Sequence, residues 1–165
     1  MALEWWTRGK PSVLGMISGA VAGLGTITPA SGFVTPMEGM LIGLIAGSIC
    51  FWSCTWLKLR LGYDDSLDVF GVHGVGGMTG TFLAGVLALG AVSLSADTPD
   101  GVRGLIDGNP WLVLSQIYGI VVTAVWSGVA TWGILKAIQM IVPLRVRMED
   151  EVMGLDVSQH GEALQ

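Results

Sequence analysis

The sequence predicts an all-α integral membrane protein with four transmembrane helices, and three observations carry that expectation. Hydrophobic residues make up 52% of the 165 residues and charged residues only 13%. A soluble domain carries about 25% charge, so too little polar side chain remains here to cover a globule. The mean hydropathy is +0.65. Glycine, at 25 residues, is about twice its ordinary usage, without a Gly-X-Y period. Abundant glycine in apolar sequence suits closely packed membrane helices, where small residues let backbones approach.

The first span is expected over residues 12–28, free of charge. The second covers residues 36–57, charged only at Glu38; Thr35-Pro36-Met37-Glu38 reads as a cap, a proline at the first helical position and a capping-box glutamate. The third covers residues 66–94, with Asp65 as its cap, Asp68 in its first turn and His73 further in. The fourth covers residues 109–142, opened by Asn109-Pro110 and interrupted by Lys136. A hydrocarbon core about 30 Å thick needs about 20 helical residues, so each stretch qualifies, the first narrowly. The fourth would be roughly 50 Å long at 1.5 Å per residue, so it must tilt or project. Residues 143–165 form a charged tail. No signal peptide is expected, because Met1 to Lys10 holds charges and no apolar core.

Basic residues orient the chain. Arg8, Lys10, Lys58, Arg60, Lys136, Arg145 and Arg147 fall on the side of the termini, and Arg103 alone falls on the other. The positive-inside rule then makes both termini cytoplasmic. Glycines recur every fourth residue at Gly15, Gly19 and Gly23, at Gly39, Gly43 and Gly47, and at Gly76 and Gly80. Ser115, Gly119, Thr123 and Ser127 make a fourth small-residue stripe. Residues four apart share a helix face, so four packing faces and a compact bundle are expected.

His73, within Phe70-Gly71-Val72-His73-Gly74-Val75-Gly76-Gly77, is the one histidine in a span. An imidazole turned to lipid loses its hydrogen bonds, so it should face other helices or a narrow polar path. Two readings stand on the residues alone: a structural histidine bonded to a neighbouring carbonyl, or a pore-lining proton or ligand site. Glu38 and Asp68 likewise read either as helix-end chemistry or as functional carboxylates within a membrane. No metal is expected at His73, since no second histidine or carboxylate sits at ligand spacing on its face. Cys50 and Cys54 read as small apolar residues. No enzyme constellation and no cofactor motif is present, and the net charge of −5 argues against nucleic acid as a partner.

The run Asp64-Asp65-Ser66-Leu67-Asp68-Val69-Phe70-Gly71-Val72-His73-Gly74-Val75-Gly76-Gly77 resembles the signature of the ammonium transporter (Amt/Rhesus) family in its penultimate helix. Arg8-Gly9-Lys10-Pro11-Ser12, Ile27-Thr28-Pro29-Ala30-Ser31-Gly32 and the tail from Gly154 to Glu162 are similar to other segments of that family. The resemblance covers almost the whole chain. It implies the C-terminal part of an eleven-helix fold, helices eight to eleven with the cytoplasmic tail. The family's first histidine of the pair, its phenylalanine gate and its outer aromatic site would then lie outside this chain. His73 looks like the second histidine of the pair, and Asp68 like the carboxylate at the inner end of that helix. The resemblance further implies ammonium or ammonia as substrate, the cell membrane and its lipid bilayer as surroundings, a homotrimer, and a PII-type regulatory protein at the tail. It leaves three readings: a transporter or channel present as a partial chain, a nitrogen sensor of the same fold, and a structural remnant that does not conduct.

Overall fold

The computed structural model describes residues 1–162, which contain helices, turns and loops and no strand. The chain divides into two compact units, Met1–Val121 and Val122–Gln165. The helices are α1 (Ala2–Arg8), α2 (Val13–Ile27, prolonged by a 3-10 turn to Ala30), α3 (Pro36–Leu61), α4 (Phe70–Leu87), α5 (Trp111–Gln139) and α6 (Met148–Met153). Among the described residues, four helices are long and apolar enough to cross a membrane: α2 with its extension, α3, α4 and α5. α5 runs from the first unit into the second.

α1 ends at Gly9, whose φ of 73° needs a residue without a Cβ. Glu4 then reaches across to the start of α2. Its carboxylate accepts from the Ser12 amide at 2.9 Å and the Ser12 hydroxyl at 2.7 Å. The same hydroxyl accepts from the Gly15 amide at 2.9 Å, capping α2. The Ser12 amide first, then its hydroxyl and the nearby Arg8, hold the Glu4 carboxyl below its ordinary value.

α3 opens as expected. The Glu38 carboxylate accepts from the Thr35 amide at 3.0 Å and from the Thr35 hydroxyl, so Glu38 is helix-end chemistry. The helix outruns the expected residue 57: it widens into a π turn at Ser53–Leu57 and closes at Leu61, where Gly62 (φ 64°) returns its amide to the Lys58 carbonyl at 2.9 Å. α4 starts later than residue 66, because Asp65 spends its carboxylate on the Val69 and Phe70 amides, both at 2.8 Å. It stops at Leu87 rather than at 94. Beyond it the Ala88 carbonyl accepts from the Gly104 amide at 2.7 Å and the Leu89 amide binds the Phe33 carbonyl at 2.8 Å, which draws the chain out of the helix. α5 starts at Trp111, two residues late, because the Asn109 amide is bound to the Gly104 carbonyl at 2.9 Å.

α2, α3 and α4 cross at their small residues. A Cβ on Gly80 would strike the carbonyl of Thr26, and one on Gly76 would sit 2.9 Å from the Thr26 hydroxyl and 3.2 Å from the Cys50 sulfur. These approaches explain why α4 is glycine-rich. The stripes on α2 and α3 do something else. Nothing lies within 4 Å of a Cβ added at Gly19, Gly23, Gly43 or Gly47. Gly19, Gly43 and Gly47 instead border a groove of about 580 Å³ lined by α1, α2 and α3 together with Asp68 and Val72. The stripe on α5 is likewise open at Gly119. The expected glycine faces are thus used unevenly: Gly76 and Gly80 of α4 are seated closely against α2 and α3, Gly15 meets Glu4 of α1 and Gly39 meets Ile27 of α2, while Gly19, Gly23, Gly43 and Gly47 are open.

In the second unit, Arg145 makes a two-pronged pair with Glu151, at 2.7 and 3.1 Å, which lowers the Glu151 carboxyl below its ordinary value. α6 closes with the Gly154 amide on the Asp150 carbonyl at 3.1 Å.

Candidate functional site

The site expected from sequence is built on the first two turns of α4. Phe70–Val75 is a π turn, wider by one residue than an α-helical turn, and His73 lies within it. Gly71 and Val72, the two residues before it, are buried, whereas His73 is exposed. Its Nδ1 lies 3.9 Å from where a Cβ on Gly25 would stand, so α2 passes the imidazole edge at a glycine. The expectation that His73 is enclosed by other helices is not met among the described residues. His73 lies exposed in the π turn, on the side of α4 that passes Gly25 of α2. The imidazole makes no hydrogen bond among the described residues, so its donor and acceptor are both open.

Asp68 is not in the first turn of α4. It stands just before the helix with φ at 56°, and it is the one non-glycine residue with positive φ among those described. Its carboxylate pairs with Lys58 Nζ at 2.7 Å. Asp68 and His73 are therefore on the same segment but do different things. One ties α4 to the end of α3, the other presents a free ring.

Two features escaped the sequence reading. Lys58 counted only as an inside-facing basic residue. The signal that would have found its partner is local: a single lysine at the end of a span, followed by a short turn and Asp65-x-x-Asp68. The other feature is the close seating of Gly71 on Cys54, where a Cβ would come 3.3 Å from the Cys54 amide nitrogen. Cys54 thus has a packing role, on the π turn of α3. Among the described residues no group of three or more His, Cys, Asp or Glu side chains is placed to hold a metal ion.

Four apolar spans, tight glycine crossings and a histidine on a slim helix define a polytopic α-helical membrane protein. The profile of the Ammonium Transporter Family matches residues 1–164. The chain belongs to that family. It is 44% identical over 160 residues to the ammonium transporter of Bacillus subtilis (strain 168), covering 97% of this chain and 38% of that protein. It is 45% identical over 162 residues to the ammonium transporter of Aquifex aeolicus (strain VF5), covering 98% of this chain and 36% of that one. Among solved structures, Saccharomyces cerevisiae Mep2 superposes with a TM-score of 0.77 at 31% identity, over 90% of this chain and 34% of its own. A structure described as a sensor Amt protein gives 0.77 at 27% identity, over 96% of this chain and 37% of its own. The chain spans little more than a third of the length of the curated relatives it matches.

Proposed function

We propose that this chain forms part of a path that carries ammonium across a membrane, with His73 lining the path and Asp68 supporting its inner end. The observation that carries the reading is the family match over residues 1–164, with named ammonium transporters at 44–45% identity. The chemistry agrees. Ammonium is close in size to potassium, so a bare charge filter separates them poorly. An apolar lumen penalises any cation, whereas a neutral imidazole can donate to and accept from uncharged ammonia without a counter-charge. The open face bearing His73 would meet the remainder of an eleven-helix protein, of which this chain corresponds to helices eight to eleven.

The same reading assigns residues 1–142 to the membrane region and 143–165 to a cytoplasmic tail, with both termini cytoplasmic in the cell membrane. Seven of eight basic residues on one side support that orientation. The assembly is a homotrimer, and the tail is the contact for a PII-type nitrogen regulatory protein. A sensor is the second reading, favoured by the fold match to the sensor Amt protein. Ammonium uptake separates them. Cells expressing this chain joined to the remaining length of a relative should take up ammonium, and His73→Glu should admit potassium, because an ionised carboxylate stabilises a passing cation. Ammonium binding without uptake would favour the sensor. Unaltered flux and selectivity in His73→Glu would remove His73 from the path.

A further inference from the structure

We propose that Lys58 is a positioning residue for His73. By holding Asp68 in its left-handed conformation, it sets where the π turn of α4 begins and so which face of the helix the imidazole occupies. The functional importance of this rests on the reading of His73 as a path residue; the conformational claim does not.

Three observations converge. Asp68 stands at φ 56°, a region that L-residues other than glycine avoid and that Asp tolerates only moderately. Such a residue persists where its surroundings over-determine it. Its side chain is held by the Lys58 contact at 2.7 Å, with the two side chains 26% and 41% exposed, and its amide donates to the Asp65 carbonyl at 3.3 Å. The Asp68 carbonyl accepts from the Val72 amide at 2.9 Å, so its backbone orientation is passed directly to the residue before His73.

The geometry of helices makes this matter. One residue more or less per turn rotates every following side chain by about 100°, since 3.6 residues complete a turn. The π turn Phe70–Val75 contains that extra residue. If Asp68 relaxes to the ordinary right-handed region, the helix can start earlier and the extra residue can be absorbed. His73 then turns away from Gly25. Lys58 is itself the first residue after the π turn of α3, whose Cys54 carries Gly71. The ion pair and that close contact hold the two irregular turns in register. An exposed ion pair usually contributes little to global stability. Here it need only bias one residue between two backbone wells, for which a small contribution suffices.

The test uses the full chain in lipid bilayers, labelled with nitrogen-15 histidine. The chain has 2 histidines, and His160→Gln isolates the His73 ring signals. The parent should give one set of His73 signals. Lys58→Met should add a second set, the minor register rising about tenfold or more in population, and Lys58→Arg should restore the single set. Asp68→Gly should keep the single set alone and should abolish the effect of Lys58→Met, because positive φ carries no steric penalty for glycine and Lys58 then has none to offset. A single unshifted set in Lys58→Met would overturn the proposal. So would equal splitting in Lys58→Met with and without Asp68→Gly. Splitting in Lys58→Met, cured by Asp68→Gly but without any change of ammonium flux in the completed protein, would uphold the positioning role and refute the path reading.

Discussion

α4 and α5 are both apolar enough to span a bilayer, yet they are built for different neighbours. α5 is longer and the more hydrophobic of the two, and none of its 29 residues is buried. In α4, 39% of the span is buried. The difference tracks backbone contact more than hydropathy. Gly71, Gly76 and Gly80 of α4 each have atoms of α2 or α3 where a side chain would begin, while Gly119, Gly128 and Gly133 of α5 have nothing within 4 Å. Hydropathy reports immersion in lipid for both spans. Glycine reports packing only where another helix arrives to use it.

The strongest way to break this contrast is Gly80→Ala. The new methyl meets the Thr26 carbonyl and Cα, which are backbone and cannot swing aside. The α2–α4 crossing should open at a cost of about 3 kcal/mol, the upper part of the usual range for overpacking. Thermal unfolding in detergent would read it, and an unchanged midpoint would mean the crossing is not tight. A second, smaller effect belongs to Asp65→Ala, which frees the Val69 and Phe70 amides together. About 1–2 kcal/mol should be lost, as for other helix caps. Faster amide exchange confined to residues 69–72 would localise it to the π turn.

How much of this was legible differs between the same two helices. The existence of all four spans, the caps at Thr35-Glu38 and Asp65, and the identity of His73 as the unusual residue follow from charge, spacing and solvation cost. The helix limits shifted wherever a loop partner competed for the terminal amides and carbonyls, from the expected 94 back to Leu87 at Ala88 and from 109 to Trp111 at Asn109. The roles of the glycine stripes were not legible. Gly43-x-x-x-Gly47 and Gly76-x-x-x-Gly80 are the same pattern, yet one lines a groove and the other a crossing. The pattern fixes a helix face but holds nothing about what approaches it. The π turns were equally hidden, because a helix widened by one residue has no distinct hydrophobic period over a single turn.

The partner of α4 can be probed from its own end through pH. Glu4 is 6% exposed and anchors the start of α2 through Ser12. Its carboxyl is held below its ordinary value, chiefly by the Ser12 amide. The anchor is therefore fully present above the unfolded-state carboxylate value and is lost as pH falls through the lower folded value. Protection of the Ser12 and Gly15 amides, taken relative to the intrinsic exchange rate at each pH, should fall on acidification across that window, and Glu4→Gln should flatten the dependence. An equal loss of protection in Glu4→Gln would assign the pH response to another group.

The smallest expected effect sharpens the contrast from the side of α5. Gly128 lies inside a regular helix and meets nothing within 4 Å. Alanine there removes the backbone freedom that glycine retains in the unfolded chain and adds no clash, so Gly128→Ala should stabilise the chain by up to roughly 1 kcal/mol. The same exchange at Gly80 of α4 is expected to destabilise, so opposite signs for one substitution at these two sites are what the comparison requires. Paired measurements of Gly80→Ala and Gly128→Ala, in this chain and in the chain completed to the length of its relatives, extend the test. A gain at Gly128 in this chain that becomes a loss in the completed protein would show that another helix occupies that face there. A loss in this chain itself would mean that α5 already uses its glycines for packing, and the distinction between the two spans would fail.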